Sequence, residues 1–124
     1  MIEFITNPIV EVIDDNLNIL RSDFIVKYYD QTIIVPEGFT TDFASVPRIP
    51  IAFTLFAQRA KKSAVLHDYL YETRKFPRLE CDKAFLCAME AEGLGWFTRH
   101  AMYQGVRLGG GAYYYSHPVT TNGS

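Results

Sequence analysis

His67-Asp68-Tyr69-Leu70-Tyr71-Glu72-Thr73-Arg74-Lys75-Phe76-Pro77-Arg78-Leu79-Glu80-Cys81-Asp82 decides how this chain folds. Apolar residues at helical spacing run up to Arg74, and a proline stops them at Pro77. The spacing predicts one helix over Lys62 to Arg74 and a second over Arg78 to Glu92, the latter ended by Gly93 and Gly95. A link this short favours antiparallel packing of the two.

On the second helix, Leu79, Phe85, Leu86 and Met89 form an apolar stripe, and Asp82 falls in the middle of it. A carboxylate on a core-facing stripe needs a donor, because an unpartnered buried charge costs several kcal/mol, about the size of a lost buried ion pair. A His, an Arg, a Tyr hydroxyl or a metal would serve. The first helix carries candidates: His67, Tyr71 and Arg74 recur at four and three residues and share a face. His67 or Tyr71 is therefore expected opposite Asp82, and a His67–Asp82 pair would carry chemistry. The Asp would fix the imidazole tautomer and support the charge formed when the other ring nitrogen takes a proton, which is how a general base activates water. The same pair also fits a purely structural role, fixing how two helices pack.

Outward from this pair, the N-terminal part is rich in β-branched and aromatic residues separated by turn signals. Strands are expected at Ile2 to Thr6, Pro8 to Ile13, Phe24 to Tyr29 and Thr32 to Val35, the last two joined by a hairpin turn at Asp30-Gln31. Together they predict one antiparallel sheet of three or four strands. Phe39 to Pro50 reads as an apolar loop, Ile51 to Ala60 as a helix, and Trp96 to Leu108 as a last helix stopped by Gly109-Gly110-Gly111. The expected architecture is α+β: a small sheet, about four helices, a single domain over 1–111 and a tail over 112–124, docked or mobile. Tyr113, Tyr114 and Tyr115 in that tail are candidate interface residues, since Tyr is enriched at interfaces.

Composition sets limits on function. The chain has 124 residues, 48% apolar and 15% aromatic, enough for a real core in one domain. Twelve basic and fourteen acidic residues give a net charge of −2, which offers no footprint for nucleic acid and no polybasic signal for an anionic membrane. No apolar run reaches the ~18 residues of a membrane span. The start, Met1-Ile2-Glu3-Phe4, lacks the basic-then-apolar pattern of a secretory signal, so synthesis in a cytoplasm is expected. Cys81 and Cys87 lie six apart on one helix and point in different directions, so two unpaired thiols are expected.

Two resemblances follow from these residues. Thr41-Asp42-Phe43-Ala44-Ser45-Val46-Pro47-Arg48, then His67-Asp68-Tyr69-Leu70-Tyr71, then Asp82-Lys83-Ala84-Phe85 resemble the bacteriophage-associated domain of unknown function family 1353, over roughly residues 30 to 108. That resemblance implies a phage origin. It leads to the expectation of a virion component of tail, neck or baseplate, held among other phage proteins in an oligomeric assembly. His67-Asp68-x-x-Tyr71 with Asp82 is also similar to the helix pair of phospholipase A2. This second resemblance implies His67 as the base and Asp82 as its support. It also implies calcium on Asp68. Read from the residues alone, Asp68 lies about 100° from His67 on the helix and is a candidate ligand, with Asp42 from the apolar loop, for calcium or another divalent metal, and Tyr71 and Arg48 are candidate supporting residues. The glycine-rich calcium loop of those enzymes is missing, since Gly38 stands alone upstream. The enzymatic alternative is a small hydrolase acting on an ester or amide of lipid or cell wall.

Overall fold

The computed structural model describes residues 1–14, 17–41 and 60–116. The chain forms two compact units, Met1–Asp42 and Phe43–Ser124.

Among the described residues, the first unit holds six strands in two three-stranded antiparallel sheets, ordered β1-β4-β5 and β2-β3-β6. The strands are β1 (Ile2–Phe4), β2 (Val10–Asp14), β3 (Leu17–Leu20), β4 (Phe24–Tyr28), β5 (Gln31–Val35) and β6 (Thr40–Thr41). Period-two alternation is clearest in β4 and β5. Phe24, Val26 and Tyr28 turn inward with Ile33 and Val35, while Lys27 and Ile34 turn out. The register Phe24↔Val35, Val26↔Ile33 puts these side chains on one face. β1 adds Phe4, whose ring stacks on Phe24 at 5.9 Å between centroids.

The expected single sheet is thus corrected to two, because Leu17–Leu20 pairs with β2 and with Thr40–Thr41 and closes a sheet of its own. Neither strand announces itself: β3 is four residues long and β6 two. The β4–β5 turn is also shifted by one residue. Tyr28 pairs with Gln31, so the two turn residues are Tyr29 and Asp30, and Tyr29, at φ 55°, is left-handed.

The second unit is built on three described helices, α1 (Lys61–Thr73), α2 (Arg78–Ala91) and α3 (Trp96–Ser116). The fourth expected helix, Ile51 to Ala60, falls outside the described residues except for Ala60. The α1–α2 link reverses the chain at Arg74, which is left-handed at φ 51°, and Pro77 starts α2. Ser63 meets Glu92 at one end of the pair and Tyr71 meets Arg78 at the other, so the two helices run antiparallel, as expected.

α1 has no cap of its own. Its first-turn donors are met instead by Glu92, whose carboxylate accepts from Ser63 N at 2.8 Å, Ser63 Oγ at 2.5 Å and Lys62 N at 3.3 Å. A negative charge at a helix N-terminus also suits the helix dipole. α2 ends in a Schellman turn: Leu94 N donates to Met89 O and Gly93 N to Glu90 O, with Gly93 at φ +87°. Leu94 and Met89 then join Ala60, Ala64, Phe85, Met102 and Val106 in the core cluster.

α3 does not stop at Gly109; it continues to Ser116. Arginines from the α1–α2 corner hold its second half. Arg78 donates to Val106 O at 2.9 Å and Arg107 O at 2.6 Å, and Arg74 donates to Tyr114 O. A Cβ at Gly111 would sit 3.3 Å from the Arg78 guanidinium carbon, so glycine there lets the helix pass close over that cation. Three glycines cost helix propensity; tertiary bonds to their neighbours offset it. Among the described residues, no helix is long and apolar enough to cross a membrane.

Candidate functional site

Asp82 sits on the buried face of α2 with Cys81, Ala84, Phe85, Ala88 and Met89. Leu79, expected on that stripe, is instead largely exposed, and Leu86 is only partly buried. The inward face is rotated toward Cys81 and Ala88, and Asp82 stays within it.

Three side chains converge on the carboxylate. His67 Nε2 lies 2.7 Å from Oδ1, the Tyr71 hydroxyl donates to Oδ1 at 2.6 Å, and Arg107 Nη1 donates to Oδ2 at 2.6 Å. His67 and Tyr71 stand one turn apart on α1, which is why one oxygen takes both. Their rings pack at 4.2 Å, and Phe85 closes the other side of the imidazole at 4.5 Å. Arg78 Nε donates to the Tyr71 hydroxyl at 3.3 Å, so a chain of bonds runs from Arg78 through Tyr71 to Asp82.

The charges follow from this geometry. Burial by itself would raise the Asp82 carboxyl. The hydrogen bonds from His67 and Tyr71, the attraction of His67 and the bond from Arg107 outweigh burial and hold the group below its usual value. Asp82 is therefore an acceptor only, and His67 donates through Nε2, which leaves Nδ1 as the ring's other position. The Tyr71 phenol is raised, first by burial and then by its bond to Asp82. Arg107 is raised, chiefly by its bond to Asp82. Burial pushes the Cys81 thiol up to about 12, so it stays protonated at neutral pH. Its sulfur contacts Phe76 O and Leu70 O, and both cysteines are free.

The centre of the network is buried. The side chains of His67 and Asp82 are 0% exposed, while Arg107, at 28%, and Arg78 are partly exposed. Carboxylate, imidazole, phenol and guanidinium together tie α1, α2 and α3 at one point.

The expected residues are placed as follows. The structure brings His67, Asp82 and Tyr71 together. Asp68 is buried, on α1. Asp42 and Arg48 lie outside the described residues. Among the described residues, no group of three or more His, Cys, Asp or Glu is arranged to hold a metal ion. Tyr114 is buried in the second unit, edge-on to Tyr71 at 5.0 Å and beneath the Arg74 guanidinium at 4.7 Å, with its hydroxyl toward Phe76 O. Tyr113 and Tyr115 lie on the last turn of the same helix.

Sequence reasoning missed Arg107 and Arg78. The demand of Asp82 for donors was legible, and an Arg was among the admissible kinds. What hid Arg107 was distance in sequence: it lies on the expected last helix, 25 residues after Asp82, and no local pattern sets that helix against Asp82.

Compared with known proteins, the chain matches the sequence model of a family described as "Protein of unknown function (DUF1353)" over residues 19–106. No curated protein and no solved structure matches it.

Proposed function

The chain belongs to the DUF1353 family, and from that premise we propose that it is a phage-encoded component of the virion, in tail, neck or baseplate, that works by contact with other phage proteins. The observation that carries this reading is where exposure falls. The side chains able to do acid–base chemistry, His67 and Asp82, are shut away from solvent, while large apolar side chains stand open on both units: Ile9 and Val12 on the first, Phe97 and Leu108 on the second. A contact protein needs open apolar surface, and a catalyst needs an open base. In this reading the Asp82 network is the lock that holds the three helices in one arrangement. The test is mass spectrometry of washed particles made by the phage that encodes the chain. Stoichiometric presence supports the proposal, and absence from intact virions overturns it.

One observation favours a second reading. His67 turns Nε2 to Asp82, an orientation suited to a base whose Nδ1 takes the proton, and Tyr71 steadies the same carboxylate. A hydrolase working this way would act on an ester or amide of lipid or cell wall, and a divalent cation such as calcium would be its metal. Turnover of phospholipid and ester panels, with and without calcium or zinc, decides it. Activity that His67→Ala and Asp82→Asn both abolish would establish the enzyme, and an inactive wild type removes it.

A further inference from the structure

Gly105, Gly109, Gly110 and Gly111 fall close together in α3. Glycine weakens a helix because it gives up the most backbone freedom. The carbonyls of Val106 and Arg107 stand four residues before Gly110 and Gly111, so those two amides are their helical donors. Arg78 donates to both carbonyls as well, at 2.9 Å and 2.6 Å. If the helix breaks at Gly110 and Gly111, each carbonyl keeps a donor. That removes much of the usual cost of opening a helix in its interior. The part of α3 before the glycines is anchored separately, by Arg107 on Asp82 and by Met102 and Val106 in the core cluster.

Past the glycines, α3 is held from a different corner. Arg74 donates to Tyr114 O, one of the last carbonyls of the helix, and its guanidinium lies 4.7 Å from the centre of the Tyr114 ring. The Tyr114 hydroxyl reaches Phe76 O at 3.4 Å. Arg74 itself sits at a left-handed position, φ 51°, where helices favour glycine. An arginine there gives up that ease and supplies the hold on Tyr114. Beneath Tyr114 lies Tyr71, edge-on at 5.0 Å, buried, with its hydroxyl on Asp82.

We propose that residues 112–116 are a lid over the Tyr71 end of the Asp82 network, swinging about residues 109–111 and latched by Arg74. When the lid opens, Arg78 keeps Val106 O and Arg107 O paired, Arg107 stays on Asp82, and Tyr71 loses its cover. His67 stays covered, because its ring lies between those of Tyr71 and Phe85. The lid regulates access to the buried carboxylate, and it holds for either functional reading. A partner that captures the open segment uncovers Tyr71, and by linkage anything that binds at Tyr71 favours the open segment.

Amide hydrogen exchange of the full chain, read residue by residue by NMR, separates a lid from a fraying helix end. A lid opens as one unit, so the amides of residues 112–116 should share one protection factor, well below that of residues 97–107. Arg74→Gln removes the latch and leaves every lid residue in place. It should speed exchange across residues 112–116 at least ~tenfold and leave residues 97–107 unchanged. Hydroxyl-radical labelling of the Tyr71 ring, read by mass spectrometry, should rise with it. Gly109→Ala stiffens the joint and should slow lid exchange about two- to fivefold. Protection that falls in steps toward Ser116 overturns the proposal, because that is fraying. So does a Tyr71 ring that Arg74→Gln leaves unlabelled, or a loss of protection throughout α1, α2 and α3 in that variant.

Discussion

Replacing Asp82 by Asn keeps the shape of the side chain and removes its charge. In the wild type, Oδ1 accepts from His67 and Tyr71 and Oδ2 accepts from Arg107. An Asn amide has one oxygen and one NH2, and the NH2 cannot accept from Arg107. With the oxygen toward His67 and Tyr71, a guanidinium faces an amide donor at the other position; flipped, two donors from α1 face it. Either way at least one bond to a charged group is lost, at about 1.5–3 kcal/mol, and donors in a closed site lose their partner. Breaking a buried pair by removing one member costs about 3–5 kcal/mol, and the partial solvent access of Arg107 favours the lower end. For a chain of 124 residues, that is a fall in melting temperature of about 12–20 °C. The assay is urea and thermal unfolding followed by circular dichroism at 222 nm, which reports the helical unit separately from the strands of the first. A loss below about 1 kcal/mol would refute the claim that the network holds the helices together.

Other outcomes follow from the same structure. Asp82 is held below its usual value, so its stabilisation is complete above the unfolded carboxylate value of about 4 and is lost as pH falls below it. Acid unfolding of the wild type should steepen there, and Asp82→Asn should flatten that limb. Cys81, raised to about 12, and Tyr71, also raised, contribute stability that is complete below their unfolded values and lost as pH rises through roughly 9 to 12, seen as alkaline unfolding. At pH 8 a thiol reagent should modify Cys87 quickly and Cys81 only on unfolding, read as one fast equivalent per chain. Glu92→Gln removes the carboxylate that caps α1 and should cost about 1–2 kcal/mol in urea unfolding. Gly109→Ala meets nothing and should stabilise by about 0.5–1 kcal/mol, while Gly111→Ala presses on an Arg78 already held by its bonds to α3 and should give no gain; equal gains at both sites would show that Arg78 is not pinned.

Much of the helical unit was legible because its signals are local. Pro77 and Gly93 punctuate α1 and α2, and Asp82 on an apolar stripe called for a donor such as His67 or Tyr71; that both serve it is what the structure adds. What failed was long-range. The sheets split because Leu17–Leu20 finds Thr40–Thr41, a pairing across 23 residues at Asn18↔Thr41 that no local pattern marks. α3 runs through three glycines because Arg74 and Arg78, some 30 to 40 residues earlier, hold its carbonyls. The same distance hid Arg107 from the site. Tyr114 packs inward on Tyr71 for a related reason, once the helix that carries it extends past Gly111.

The central claim is that a buried His67–Asp82 bond ties α1 to α2, with Arg107 bringing α3 to the same carboxylate. Exchange of the His67 Nε2 proton with solvent, followed by nitrogen-edited NMR of the ring, tests it most directly. The account predicts a resolved imidazole proton whose exchange is as slow as that of the most protected α1 and α2 amides, and which disappears in Asp82→Asn. A ring proton exchanging on the timescale of surface histidines would contradict it, because it would show the pair open to water.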